Sequence, residues 1–175
     1  MNELMKLDNT FRESEFLGKV NNIYVMLCTS MMTNHLERVK HFLSDNLYDL
    51  KVQELEELNR QNIIKMYDEL NVNASIIDVE ITDEKFIIKV SMHTKYLSYN
   101  IDKDTKKFIS GNKDYRIQDN KTLIFTKRRD FKTLGMVRQC PFCGASMDLN
   151  NTGFCKFCHK TFDMKEYDWI LEEIY

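Results

Sequence analysis

Two Cys-x-x-Cys pairs near the C-terminal end constrain this chain more than any other feature. Cys140 and Cys143 form the first pair, Cys155 and Cys158 form the second, and eleven residues separate the inner cysteines. Four thiolates at this spacing can meet at one tetrahedral Zn²⁺ ion, with Zn–S distances of about 2.3 Å. We therefore predict a structural zinc ribbon over residues 136–165. Four cysteines fill the tetrahedral coordination shell, so we expect the metal to stabilise the ribbon and to catalyse no reaction.

The alternative use of these cysteines is a pair of disulfides, which would require an oxidising compartment. The N-terminal stretch lacks the basic start and apolar run of a signal peptide, and the most apolar run, residues 23–28, is too short to span a bilayer. We therefore expect a cytoplasmic protein whose thiols stay reduced until they bind Zn²⁺. His159 follows Cys158 directly, and because adjacent residues rarely reach one ion, Cys158 is the preferred ligand.

The rest of the chain is long enough for one ordinary domain. Of the 175 residues in the whole chain, 43% are hydrophobic, and a single proline and five glycines argue against a long linker. The formal net charge of -2 gives no overall basic footprint, which counts against bulk nucleic-acid binding. We predict a main domain over residues 10–132, the ribbon, and an anchoring segment over residues 166–175. The last ten residues fit a helix or a strand, and Trp169 is expected to anchor them.

The N-terminal half has a helical pattern. Residues 11–33 form the first predicted helix, with Thr10 and Glu13 at the spacing of a capping box. A second helix is predicted from Asn34, and a third is capped by Ser44 and either runs on to residue 70 or restarts near Asn62. The apolar face of the first helix contains Phe16, Val20, Ile23, Leu27 and Met31. The second contributes Leu36, Val39, Phe42 and Leu43, and the third contributes Leu47, Leu50, Leu55 and Leu58.

Beyond the helical half the apolar period changes to alternation. Residues 74–81 and 86–99 are rich in β-branched and aromatic residues, with a hairpin turn at 82–85 between them. A short strand is predicted at 107–110 and the last one at 121–127. Helices followed by an antiparallel meander are typical of the α+β class. We predict helices packed on one face of a curved antiparallel sheet, followed by the small ribbon.

The strand segments also carry motifs in a recognisable order. A strand with an aspartate, Asp78, is followed by a hairpin, a tyrosine-containing strand at 97–102, a glycine turn at Gly111, and the strand 123–127. This order resembles the Tim44-like domain, and the likeness runs from about Phe11 to the end of the chain. The ribbon followed by Trp-Ile-Leu at 169–171 resembles bacterial members of that family. One departure is that residues 123–127 lack the tryptophan and arginine of the family's Trp-Thr-Phe-x-Arg motif.

The resemblance has implications for fold and function. It implies a cystatin-like or nuclear-transport-factor-two-like fold, in which the curved sheet and its helices can enclose a pocket. Mitochondrial members act as tethers on the matrix side of the protein translocase or as parts of the ribosome, and they are not known as enzymes. The resemblance therefore implies a non-enzymatic module that binds protein partners or a small apolar ligand.

A basic strip over residues 121–138 supports an alternative function. It contains six basic residues against one acidic residue. Contacts to phosphates would release counterions and favour binding of nucleic acid through this strip and the ribbon. The other interpretation is a solvated edge strand whose cations discourage aggregation. The candidate phosphate contacts are Lys127, Arg128, Arg129 and Lys132.

A few further residues have titratable side chains that could take part in catalysis. Asp78, Glu80 and His93 lie on or near the first hairpin, where a carboxylate and a histidine could perform acid–base catalysis. Asp78 and Glu80 share one face of the strand, which we expect to face solvent, and we predict no enzymatic activity. Cys28 is expected to be a small core residue.

Overall fold

The computed structural model describes residues 2–9, 11–129, 139–147 and 153–175. In these ranges, helices come first and an antiparallel five-stranded sheet follows, which confirms the predicted α+β class. No helix in these ranges is long and apolar enough to cross a membrane. The helices are α1 (Asn2–Leu7), α2 (Glu13–Thr33) and α3 (Asp45–Arg60), and the strands are β1 (Ile63–Ile81), β2 (Lys85–Asp102), β3 (Phe108–Gly111), β4 (Ile117–Arg128) and β5 (Ile170–Ile174).

The sheet is built around β2. Its strand order is β1-β2-β4-β5, and β3 pairs with β2 beyond the end of β4. The predicted hairpin turn between β1 and β2 is confirmed, since the Thr82 hydroxyl both donates to the Lys85 carbonyl and accepts from the Lys85 N–H, each at 3.0 Å. All strand pairs are antiparallel.

The fifth strand comes from the far side of the ribbon. In β5, Leu171 pairs with Phe125 of β4, and the Leu171 carbonyl accepts a hydrogen bond of 2.9 Å from the Ser44 N–H. The last residues therefore form a strand. The ribbon lies within the connection from β4 to β5, and the main sheet is completed only after it.

The core lies between α2 and the inner face of the sheet. The predicted apolar face of α2 is buried throughout, from Phe16 to Met31. On β2, alternate residues from Phe86 to Thr94 are buried, as the alternating pattern predicts. Trp169 is 1% exposed and packs edge-on against Phe16, with ring centroids 5.2 Å apart. The Trp169 ring therefore packs in the core of the main domain.

Residues 34–43 do not form the predicted second α-helix. Asn34 ends α2 in the left-handed region, with φ of 59°, and two short 3₁₀ helices follow, Leu36–Arg38 and Lys40–Phe42. The apolar residues Leu36, Val39 and Phe42 are three apart, and all are buried. A 3₁₀ helix has three residues per turn, so it aligns this spacing better than an α-helix does.

The prediction that helix continues to residue 70 was also wrong. The third helix ends at Arg60, Asn62 has a φ of 58°, and β1 begins at Ile63. Ile63 to Asp68 pair with the second half of β2, and this pairing outweighs a helix-compatible local sequence. Leu50, predicted to face inward, is 52% exposed.

Smaller differences occur at helix starts. The second helix begins at Glu13 with Arg12 at its N-cap, so the predicted start at residue 11 is two residues early. Thr10, the predicted capping residue, lies outside the described residues. Helix α1 was not predicted, and Leu4 on it is fully buried.

Candidate metal centre and binding pockets

The four predicted ligand cysteines lie together. The Sγ atoms of Cys140 and Cys158 are 3.7 Å apart, as are those of Cys143 and Cys155, and all four Sγ atoms lie within 4.8 Å of one another. A tetrahedron with Zn–S bonds of 2.3 Å has sulfur–sulfur edges of about 3.8 Å. A disulfide would need about 2.05 Å, and all four thiols are free. The cluster can therefore hold a metal ion, and its dimensions fit Zn²⁺.

The two halves of the cluster have equivalent backbones. The Gly144 N–H donates to the Cys140 carbonyl, and the His159 N–H donates to the Cys155 carbonyl, both at 2.9 Å. Both donors have positive φ, 72° for Gly144 and 58° for His159. His159 thus serves as the turn residue of the second half, and its ring packs against Phe154 with centroids 6.1 Å apart.

The electrostatics of the cluster favour a bound cation. The backbone N–H groups of Cys158 and Phe157 lower the pKa of the Cys155 thiol to about 6. The Ala145 N–H lowers the pKa of Cys143, but desolvation and the hydrogen bonds with the three neighbouring thiols together raise it to about 12. Once one thiolate forms, further thiolates are disfavoured unless a positive ion neutralises them.

A second, small core joins the ribbon to the main domain. Met164, Tyr167 and Ile170 are buried there, with Met147 and Phe162 packed around them. Lys165 also forms an ion pair with Asp45 at the start of α3. The ribbon is therefore attached through a few apolar residues at its base.

A pocket lined by four tyrosines opens between α2, α3 and the sheet; we call it the tyrosine pocket. Its volume is about 330 Å³, and Tyr24, Tyr67, Tyr96 and Tyr175 line it beside Cys28. Burial raises the pKa of Tyr24 and Tyr67 and raises that of Cys28 to about 11, so these groups stay neutral near pH 7. Apolar side chains of Leu27, Met31, Leu47 and Ile174 complete much of the wall.

A second pocket, the basic pocket, lies at the C-terminal end of α2. Its volume is about 460 Å³, and among the described residues none of its lining side chains is acidic. Its apolar lining residues are Met31, Met32, Leu55, Leu58, Ile63 and Ile64. Five basic residues line it: His35, Arg38, Lys65, Lys103 and Lys106.

Most of this positive charge has no anionic partner within the pocket wall. Lys103 Nζ donates to the Asn59 side-chain oxygen at 2.7 Å, and Lys106 Nζ donates to the Lys103 carbonyl at 2.6 Å, so both acceptors are neutral. His35 does face a carboxylate, that of Glu37, at 3.1 Å. Met31 and Lys65 line both pockets. The two pockets are therefore neighbours along one groove between the helices and β1.

Comparison with known families identifies the larger part of the chain. The model of the Tim44-like domain matches residues 1–133. The chain belongs to the Tim44-like domain family. Tim44-like domains generally bind proteins or lipids. No curated protein matches the chain. The family match ends before the first cysteine ligand, and β5 of this Tim44-like domain also lies beyond it.

Four buried charged residues lie at the other end of the Tim44-like domain. Asp8, Lys19, Lys127 and Asp168 are each at most 2% exposed. Lys19 Nζ lies 2.6 Å from Asp168 Oδ2. Burial lowers the pKa of Lys127 to about 8, against the opposing pull of Asp168 and Asp8. This cluster joins the N-terminal segment, α2, β4 and the C-terminal segment.

The predicted basic strip is divided by the fold. Lys127 shares its face of β4 with Leu123 and Phe125, so its side chain is buried and cannot reach a phosphate on the surface. Arg128 and Arg129 are exposed, and Arg129 Nη1 donates to the Thr82 carbonyl at 2.6 Å. Lys132, like all of residues 130–138, lies outside the described residues.

The candidate acid–base residues are not brought together. Asp78 pairs with Lys89 at 3.1 Å, and His93 contacts the Asn120 side chain at 2.8 Å. Lys89 and His93 are four residues apart on β2, a separation of about 13 Å. Asp78 and Glu80 are exposed, as expected for the solvent-facing side of the sheet, and His93 is exposed as well.

The residues around the two pockets were missed by the sequence analysis. Lys65 and Tyr67 face the groove only because residues 63–70 are strand, and that stretch was assigned to helix. Arg38 reaches the basic pocket from the 3₁₀ helix Leu36–Arg38, and Lys103 reaches it from the turn between β2 and β3. No local pattern links these positions, so only the tertiary fold brings their charges together.

Proposed function

We propose that this Tim44-like protein is a non-enzymatic binding module for an elongated amphiphile that carries an acidic group. The observation that supports this most is the basic pocket, where basic and apolar side chains line one cavity and no carboxylate is among the described lining residues. Volumes of about 460 and 330 Å³ are in the usual range of ligand sites.

The ligand's acidic group would lie in the basic pocket, near Arg38, Lys103 and Lys106. Its apolar chain would extend past Met31 and Lys65 towards the tyrosine pocket. Each buried methylene contributes about 0.8 kcal/mol, so a medium-length chain can supply most of the affinity while the charges select an acid over an alcohol. A lipid acid is therefore the class of ligand that fits. The expectation of a protein partner stays a prediction.

Calorimetric titration with dodecanoate and dodecanol tests the proposal. We expect dodecanoate to bind at least tenfold more tightly than dodecanol of the same chain length. The variant Lys103→Glu/Lys106→Glu should lose at least tenfold in affinity for dodecanoate. The control Lys95→Glu/Lys107→Glu, which reverses two exposed charges outside both pockets, should bind as the parent does. Absence of dodecanoate binding, or equal affinity in both double variants, would refute the proposal.

We also propose that the metal is Zn²⁺ and that its role is structural. Four thiolates leave no open coordination position for a substrate, and they must stay reduced to bind the ion, which agrees with a cytoplasmic location. Elemental analysis of protein purified under reducing conditions should find one zinc per chain. Finding none, or finding iron in its place, would contradict this assignment.

A further inference from the structure

The ribbon has exposed aromatic rings at its surface. Phe142 and Phe157 are 51% and 72% exposed, and each precedes the second cysteine of its pair. Phe154 is 44% exposed. The base of the ribbon has its own buried residues, yet these three rings stay outside that small core. Exposed rings at matching positions in both halves indicate a contact surface.

Basic side chains alternate with these rings. Lys156, His159 and Lys160 are exposed on the same segment. Lys160 Nζ lies 4.9 Å from the centroid of the Phe142 ring. Among the described ribbon residues, 139–147 and 153–165, Asp163 is the one acidic residue. We use the name ribbon face for the exposed residues Phe142, Phe154, Lys156, Phe157 and Lys160.

We propose that the ribbon face binds single-stranded nucleic acid without sequence preference. Phe142 and Phe157 would stack on bases, and Lys156 and Lys160 would contact the phosphates between them. Stacking on aromatic rings tolerates every base, because each base has a π-face, and interleaved cations follow the backbone. This surface replaces the 121–138 strip as the nucleic-acid contact, since Lys127 of that strip is buried.

The alternation of rings and cations favours this occupant over a lipid bilayer. The Lys160 ammonium lies over the Phe142 ring, so insertion of that ring into acyl chains would also bury the ammonium in an apolar layer. Burial of an unpaired charge in such a layer is unfavourable. A phosphate beside a stacked base instead offers that ammonium an anionic partner. Two lysines and a protein net charge of -2 predict a modest affinity that is detectable at low salt.

Fluorescence anisotropy with labelled twelve-nucleotide dT and U strands tests the proposal on the full, zinc-loaded chain. Both strands should bind at 50 mM salt, and with two phosphate contacts the slope of log affinity against log salt should be about -1.4. Phe142→Ala/Phe157→Ala should weaken binding at least tenfold. Lys156→Gln/Lys160→Gln should bring the salt slope close to zero. The matched control Phe108→Ala/Tyr115→Ala removes two exposed rings at the far end of the sheet and should leave affinity unchanged.

Several results would overturn the proposal. These are no binding at 50 mM salt, equal affinity after removal of both ribbon rings, or an equal loss in the control. Binding to anionic phosphatidylserine vesicles without binding to either strand would assign the face to membranes instead. Each variant is checked for one zinc per chain. If Phe142→Ala/Phe157→Ala loses zinc, the single variant Phe157→Ala is used for the test, because the Phe157 ring is the most exposed of the three. Phe157→Ala should weaken binding of the strands at least threefold.

Discussion

The Tim44-like domain and the ribbon are held together by different means. The domain has an extended core in which α2 covers the sheet and Trp169 joins an aromatic cluster with Phe11, Phe16 and Phe86. The ribbon has a small core at its base and four sulfurs that can share one ion. Stability is therefore distributed over many contacts in the domain and concentrated at one point in the ribbon.

The position of β5 sharpens this comparison. The strand follows the ribbon in sequence but packs in the domain core, where Trp169 and Leu171 are 1% and 0% exposed. Burial of two such side chains contributes about 3–6 kcal/mol. Unfolding of the ribbon would lengthen the loop between β4 and β5, but doubling a loop costs only about 0.6 kcal/mol. β5 should therefore stay in place when the metal is lost.

The largest expected effect is on metal binding. Replacement of Cys143 by serine removes one of four ligands, and structural zinc in small modules contributes an apparent 10–16 kcal/mol, roughly. We expect Cys143→Ser to lose bound zinc and ribbon structure while the domain still unfolds cooperatively. Zinc content and amide NMR spectra measure both outcomes. Cys28→Ser is the control because Cys28 lies in the core on α2 and should keep one zinc. Full zinc content in Cys143→Ser would contradict the four-cysteine site.

The next effect concerns the buried ion pair that ties the C-terminal segment to α2. Lys19→Met removes the ammonium group 2.6 Å from the buried Asp168 carboxylate, and loss of one member of a buried ion pair typically destabilises a protein by about 3–5 kcal/mol. Urea unfolding measures this free energy. The double variant Lys19→Met/Asp168→Leu removes both charges and should recover much of the loss. A loss below about 1 kcal/mol in Lys19→Met would show that the pair does not hold the segment.

A smaller effect is the pH dependence caused by Lys127. Burial lowers its folded pKa from 10.5 to about 8, so between these values the unfolded chain binds the proton that the folded chain has released. Stability should therefore rise with pH in this window, by about 1 kcal/mol from pH 7.5 to 9.0. Above pH 9 the raised pKa of Cys28 acts in the opposite direction.

Urea unfolding at both pH values measures the Lys127 contribution. Lys127→Met should reduce the rise in stability by about 1 kcal/mol relative to the parent. The exposed lysine variant Lys107→Met controls for loss of one positive charge. An equal rise in the parent and in Lys127→Met would refute the assignment.

The sequence predicted those features that depend on short-range patterns. Alternation along residues 86–94 identified the inner face of β2, and the cysteine spacing identified the four cysteines that the fold brings together. Sequence-based prediction failed where strand pairing determines the secondary structure. The apolar spacing in Ile63 to Asp68 also fits a helix, and only pairing with β2 makes this segment a strand. Lys127 was misplaced for the same reason, since only the sheet register turns it inward.

The binding groove was beyond prediction from sequence. Its basic residues come from the turns after α2, from β1 and from the β2–β3 turn, so their meeting depends on the whole fold. The Tim44-like resemblance implied that a pocket is possible, but no motif indicated its charge.

Hydrogen exchange of the full chain, measured with and without a zinc chelator, tests the contrast between domain and ribbon most directly. Chelation should raise exchange strongly in residues 139–165. Protection should remain in α2, β2 and β4, and also in β5, because that strand belongs to the domain core. Loss of protection in all of these elements on chelation would contradict the account. Unchanged hydrogen exchange in the ribbon after the chelator has removed the zinc would contradict it as well.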